Sequence, residues 1–372
     1  MRIAFYMPFK PMGHPHPSGD LVTGSELFRY LQGQGHRLHL ASNLRARWIY
    51  WKPWLWPLFA GEVLRLRRML GRKGRPDLWI TYHSYYKAPD PLGPLCSRSL
   101  GIPYVIFQGI FSTKRRRRLK TLPGYLLNTA ALSRADIVIT NKLKDQRNLL
   151  RIVPRERLHY VRPGIDPRCF FFDQEARSEL RASWQVGKEC VILTAAMLRQ
   201  GVKAQGVGLV IRSCGRLLQQ GLRFRLVIAG DGKERQSLER LAQKHVPGRV
   251  VFLGRVDRRT MYRFYSGGDL FVFPGIQESL GLVYLEAQSC GLPVVALDGW
   301  GAAEAVVHGK TGLLSGPKDL EGFSNNIALL LKDTALREKM GRAARRHVQE
   351  HHDAHTNYRT IEDILSSKVP GN

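Results

Sequence analysis

Short apolar runs rich in Val and Ile, separated by stretches of helical spacing, set the rhythm of the chain. In the first half they fall at residues 2–7, 38–41, 78–81, 104–107, 137–140 and 158–161. Runs of this length without strict alternation mark strands buried on both faces, as in a parallel sheet covered by helices. The rhythm restarts at residues 190–194, 224–229, 250–253, 270–273 and 293–297. Two doubly wound, Rossmann-like α/β sheets follow from that repetition. Between the two series stands Arg162-Pro163-Gly164-Ile165-Asp166-Pro167, a Pro and Gly cluster of the kind that punctuates domains. The pattern therefore predicts one domain over residues 1–166 and a second over 167–355. Residues 356–372 hold a last stretch of helical spacing, expected to pack back on the first domain.

Length agrees with this division, because 372 residues exceed one ordinary core and suit two domains facing across a cleft. Apolar residues at 44% and charged residues at 24% exclude disordered and fibrous classes. The amino terminus reads as a first strand ending near Pro8, unlike a cleavable leader, and no uninterrupted apolar run reaches the length of a membrane span. Five scattered cysteines, odd in number and without C-x-x-C spacing, argue against both a disulfide framework and a zinc site. A reducing cytoplasm is the expected compartment.

Charge changes the picture. The net charge is +28, and residues 1–167 carry 29 Lys/Arg against 9 Asp/Glu. An excess of that size points to an acidic partner: anionic lipid headgroups, a phosphorylated acceptor, or nucleic acid. Residues 45–75 interleave nine Lys/Arg with Trp48, Tyr50, Trp51, Trp54, Trp56 and Phe59, which places four of the seven tryptophans there. Indole rings prefer the headgroup layer and basic residues attract anionic lipid, so the expectation is peripheral docking on the inner face of the plasma membrane. A second basic run, Lys114-Arg115-Arg116-Arg117-Arg118-Leu119-Lys120, suits phosphates on a lipid-linked sugar. Nucleic acid is the weaker partner, since no recognisable nucleic-acid module is present.

The richest chemistry lies in Glu278-Ser279-Leu280-Gly281-Leu282-Val283-Tyr284-Leu285-Glu286, which follows a strand and opens a helix. A helix start near Ser279 to Gly281 presents unpaired amides and the positive end of the dipole, which suits a diphosphate, and Gly281 permits close backbone approach. Glu278 and Glu286 stand eight residues apart, one before the helix and one about two turns along it. With the following Gly291-Leu292-Pro293-Val294-Val295, the stretch resembles the E-x7-E signature of the family 4 glycosyltransferases, the glycosyl transferases group 1. The likeness is strong over about residues 158–314 and weak before that.

The resemblance implies a GT-B fold with the donor on the carboxy-terminal domain. It implies a hexose-type sugar moved from a UDP- or GDP-type nucleotide sugar to a glycan or lipid-linked acceptor. It further implies retention of anomeric configuration by front-face attack, no metal, no cofactor, and a place in cell-envelope polysaccharide or lipopolysaccharide synthesis. By the same resemblance Glu278 contacts donor-sugar hydroxyls, Glu286 binds the ribose, and the amides of Gly281, Leu282 and Val283 hold the phosphates. Carboxylates suit such roles because each accepts several hydroxyl hydrogen bonds. Arg199 and Lys203, in the loop 196–206, match the pair that clamps the departing diphosphate in place of a metal. Here the usual Lys-Gly pair is opened to Lys203-Ala204-Gln205-Gly206. Val256, after Gly254, is assigned to the base.

In the first domain Gly19 is expected to reach the diphosphate, and His14, His16 and His83 are candidate acceptor or sugar contacts. Gln108 stands where many family members carry His, a departure that still leaves a hydroxyl-binding side chain. Two other readings fit less of the chain. A nucleotide-sugar epimerase of similar fold leaves the basic tryptophan region without a purpose, and a basic nucleic-acid-binding protein leaves the donor signature without one. A dinucleotide-dependent dehydrogenase fails for want of G-x-G-x-x-G after the first strand.

Overall fold

The computed structural model describes residues 1–14, 19–72 and 74–369. The chain divides into two compact units, Met1–Arg162 together with His355–Asn372, and Pro163–Ala354.

The first unit holds six strands: β1 (Arg2–Tyr6), β2 (Arg37–Ser42), β3 (Leu78–Ser84), β4 (Tyr104–Gly109), β5 (Ile137–Thr140) and β6 (Leu158–Tyr160). They pair in parallel in the order β2-β1-β3-β4-β5-β6. Every residue of β3, β4 and β5 is buried, as the unbroken apolar runs require of strands covered on both faces. The helix Ala354–Ser366 belongs to this unit. Its Glu362 accepts from Tyr30 Oη at 3.1 Å and sits 2.8 Å from His36 Nε2, while Ile361 and Leu365 are buried.

The second unit repeats the plan with β7 (Cys190–Ala195), β8 (Phe224–Ala229), β9 (Val250–Gly254), β10 (Leu270–Val272), β11 (Val294–Leu297) and β12 (Gly312–Ser315). These are also parallel, in the order β12-β11-β10-β7-β8-β9. A continuous core fills it, with Ile192, Val227, Phe271 and Val295 inaccessible to solvent. The two sheets are the pair of Rossmann-like domains that define the GT-B fold.

Strand order fixes where ligands bind. In an open doubly wound sheet the crevice lies at the carboxyl ends of the strands where the winding reverses. That point falls between β1 and β3 in the first unit and between β7 and β10 in the second. Among the described residues no helix is long and apolar enough to cross a membrane.

Candidate active site

In the second unit the loops after β7 and β10 are neighbours because their strands pair, although 75 residues separate their key side chains. Lys203, in the first turn of the helix Val202–Gln219, donates its ammonium to Glu278 Oε2. Both side chains are about one-fifth exposed, so the pair is in contact with solvent. The Lys203 ammonium also sits 5.4 Å from the centre of the Phe273 ring. Burial and the nearby Arg199 guanidinium push it down to about 8, while the Glu278 carboxylate in contact with it pulls the other way. Arg199 itself is exposed. Two cations and one carboxylate thus converge at the switch point.

Glu278 is held by its own backbone. Its amide donates to the Gly275 carbonyl at 2.9 Å, and its carbonyl accepts from Gly301 at 3.0 Å. Gln277, just before it, takes φ of 57°, a left-handed conformation uncommon for a residue with a side chain. The helix that follows begins at Leu282 with Gly281 as its cap, slightly later than the sequence suggests. Gly281 has φ of 71°, and a Cβ there would lie 2.4 Å from the Gly301 carbonyl oxygen. The glycine is therefore demanded by the protein's own chain, independently of any approach by a ligand. Among the described residues no carbonyl accepts from the Leu282 and Val283 amides, which leaves them as donors at the helix start.

Glu286 lies inside that helix and is 6% exposed. Arg258 donates to its Oε1 at 2.8 Å and the Tyr265 hydroxyl to its Oε2 at 3.0 Å. Burial pushes this carboxyl up, and Arg258 and Tyr265 oppose the shift. Sequence reasoning missed both partners. Arg258 was one more basic residue in a basic chain, and Tyr265 belongs to an apolar helical stretch; only the pairing of β7, β8 and β9 brings their elements beside the signature helix.

The loop after β8 locks the Arg199 loop in place. Leu198 donates to the Asp231 carbonyl at 2.9 Å and accepts from the Glu234 amide at 2.9 Å. Gly232 has φ of 151°, and a Cβ on it would meet the Leu198 carbonyl oxygen at 2.4 Å. Val256, after β9, is half-buried against the core of this unit.

In the first unit the candidates gather at the corresponding edge. His14 is half-buried after β1, its amide 3.2 Å from the Pro11 carbonyl, and Gly19 opens the helix Gly19–Gly33. His16 lies outside the described residues. His83, at the end of β3, is buried with its ring centre 5.3 Å from Phe9 and 5.0 Å from Tyr85. Gln108, next to last in β4, is buried, and its Nε2 donates to Asn141 Oδ1 at 3.3 Å. Both His83 and Gln108 have positive φ, 65° and 59°, and they stand side by side at the step that the β3–β4 pairing skips between Tyr82–Phe107 and Ser84–Gly109.

The comparisons with known proteins agree with this geometry. Residues 179–347 match the family model described as glycosyl transferases group 1. The chain is 29% identical to the D-inositol 3-phosphate glycosyltransferase of Acidothermus cellulolyticus, over 82% of this chain and 70% of that one. It is 30% identical to the GDP-mannose-dependent alpha-(1-6)-phosphatidylinositol monomannoside mannosyltransferase of Mycolicibacterium smegmatis, over 58% of each chain. In fold it is similar to Anabaena HepE, solved in complex with UDP, with a TM-score of 0.78 at 19% identity over 99% of this chain and 100% of that one. Signature, sheet order and relatives converge: the chain is a glycosyltransferase of GT-B fold, and its residues 179–347 match the glycosyl transferases group 1.

Proposed function

We propose that the chain moves a hexose-type sugar from a nucleoside diphosphate sugar to a phosphate-bearing or lipid-linked acceptor at an anionic membrane, with retention and without a metal. The observation that carries this reading is the Lys203–Glu278 contact beside Arg199, at the switch point and next to the free amides of Leu282 and Val283. A nucleoside diphosphate leaving group develops negative charge, and fixed cations with helix-start amides stabilise it where it forms. Glu278 is placed to accept donor-sugar hydroxyls, and its contact with Lys203 yields when the sugar and diphosphate enter. Glu286 keeps lone pairs beyond those used by Arg258 and Tyr265, which is what a ribose diol requires. Retention and membership of family 4 rest on the E-x7-E pattern. The acceptor class rests on the charge of the first 167 residues and on relatives named for inositol phosphate and phosphatidylinositol acceptors. Cell-envelope polysaccharide or lipopolysaccharide synthesis is the setting that fits such an acceptor.

Thermal melting against UDP, GDP, ADP and their common sugars, with and without magnesium, tests the donor reading, because a ligand of the native state raises Tm. The expected outcome is a magnesium-independent rise with one nucleotide, which also names the base. The absence of a rise with every nucleotide would refute the reading. The anomeric signal of the first-formed product then separates retention from inversion.

A further inference from the structure

The basic run and the tryptophan-rich region, distant in sequence, form one surface of the first unit. Trp51 Nε1 donates to the Lys120 carbonyl at 2.9 Å, and the Arg115 guanidinium stacks 4.3 Å above the Tyr86 ring. Tyr50 in turn donates to the Tyr86 carbonyl at 3.0 Å. This surface exposes Trp54 at 67%, Leu58 at 61% and Leu126 at 57%. Between the helices Trp56–Arg72, Gly93–Leu100 and Leu122–Arg134 it opens into a groove of about 530 Å³.

The groove presents hydrocarbon. Its wall is made by Tyr50, Trp56, Phe59, Pro94, Leu95 and Leu127. The polar atoms of its aromatic members are turned to the protein, Trp56 Nε1 donating to the Ile49 carbonyl at 3.1 Å and Tyr50 as above. Asp90, the one carboxylate at the groove, is fully engaged: its Oδ1 accepts from the Leu92 and Gly93 amides, and its Oδ2 from the Thr81 and Tyr104 hydroxyls. The rim is cationic instead. Arg134 lines it, and among the described residues no carboxylate pairs with that guanidinium.

We infer that this groove takes one acyl chain of an anionic phospholipid, with its headgroup phosphate met by Arg134. The inference rests on the membrane-docking reading above and goes past it: a chain is withdrawn from the bilayer into the protein, beyond attraction at the headgroup plane. Apolar walls suit a hydrocarbon, and the Arg134 guanidinium suits the phosphate attached to it. Each methylene removed from water adds to the hold, which surface charge alone does not supply.

The test incubates the full chain with phosphatidylcholine vesicles carrying a minority of phosphatidylglycerol with a photoreactive diazirine at the end of one acyl chain. Vesicles are sedimented and cross-linked peptides mapped by mass spectrometry. The expected result is cross-linking to Phe59, Leu95 and Leu127. With Ala130→Phe, which fills the groove, or Leu127→Gln at an exposed wall position, that cross-linking falls about tenfold while sedimentation persists. Sedimentation with cross-links only on Trp54 and Leu58 overturns the groove and leaves surface docking standing. No sedimentation with anionic vesicles overturns both. A lipid-free dimer in sedimentation velocity that Ala130→Phe dissociates assigns the groove to a second copy, and also overturns the inference.

Discussion

Lys203 carries two opposed influences, and pH separates them. Free lysine titrates near 10.5, whereas burial and Arg199 bring Lys203 down to about 8. A lowered folded value means that between these pH values the unfolded chain binds more protons than the native one, so this group makes stability rise with pH across that window. Diphosphate binding needs the cation and so moves the other way. Nucleotide affinity is expected to hold below about pH 8 and to fall above it, and Lys203→Arg to hold that affinity through pH 10, since a guanidinium stays charged. Titration calorimetry against pH measures both; a flat wild-type profile overturns the lowered value, and an undiminished affinity in Lys203→Met refutes the cationic role. The two glutamates answer to different measurements. Glu278→Gln keeps the size but loses the charge, and kcat is expected to fall about a hundredfold with nucleotide affinity little changed. Glu286→Ala removes an acceptor from the ribose position, and nucleotide Kd is expected to rise about tenfold or more. It also strands the Tyr265 hydroxyl and the Arg258 guanidinium, so a lower Tm is expected for the alanine variant and a smaller loss for Glu286→Gln. Equal activity of the Glu278 and Glu286 variants and wild type would sink both assignments.

At the scale of elements, the helix start after Glu278 depends on Gly281. Its φ of 71° and the 2.4 Å approach of the Gly301 carbonyl leave no room for a Cβ. Gly281→Ala is expected to destabilise the second unit by about 1–3 kcal/mol and to abolish the nucleotide-dependent rise in Tm. The control Gly291→Ala has a similar φ of 84° but open space, and should cost only the backbone term. If both variants respond alike to nucleotide, the cap does not organise the site. The sequence disclosed much of this architecture and left specific parts hidden, for physical reasons. The eleven Val- and Ile-rich runs are strands because buried parallel strands need continuous apolar residues. The twelfth strand, Gly312–Ser315, escaped notice because it has four residues and opens on a glycine. That glycine is required by a neighbour the sequence does not show: a Cβ on Gly312 would lie 2.2 Å from the Val294 carbonyl oxygen. The partners of Glu278 and Glu286 were hidden for a related reason, since strand order is a long-range property. Lys203 meets Glu278 because β7 pairs with β10, which no local pattern records.

At the scale of the whole molecule, charge is the property that composition reports and a single contact does not. The first 167 residues hold most of the excess of 58 Lys/Arg over 30 Asp/Glu, and the second unit carries the donor signature. Electrostatic attraction to an anionic surface is long-range and salt-sensitive, with a screening length of about 8 Å at physiological ionic strength. Burial of tryptophan and hydrocarbon is short-range and almost indifferent to salt. The two contributions therefore separate in one titration. Binding to phosphatidylglycerol vesicles is expected to weaken with rising salt and to level off at a finite residue that Trp54→Ala and Leu58→Ala remove. Replacing Arg116, Arg117 and Arg118 by Gln should lower binding at low salt by about 1 kcal/mol per residue while leaving the high-salt residue in place. Nucleotide affinity should respond to neither set, because Lys203, Glu278 and Glu286 all lie in the second unit. A loss of vesicle binding to zero at high salt in the wild type would reduce the membrane contact to charge alone.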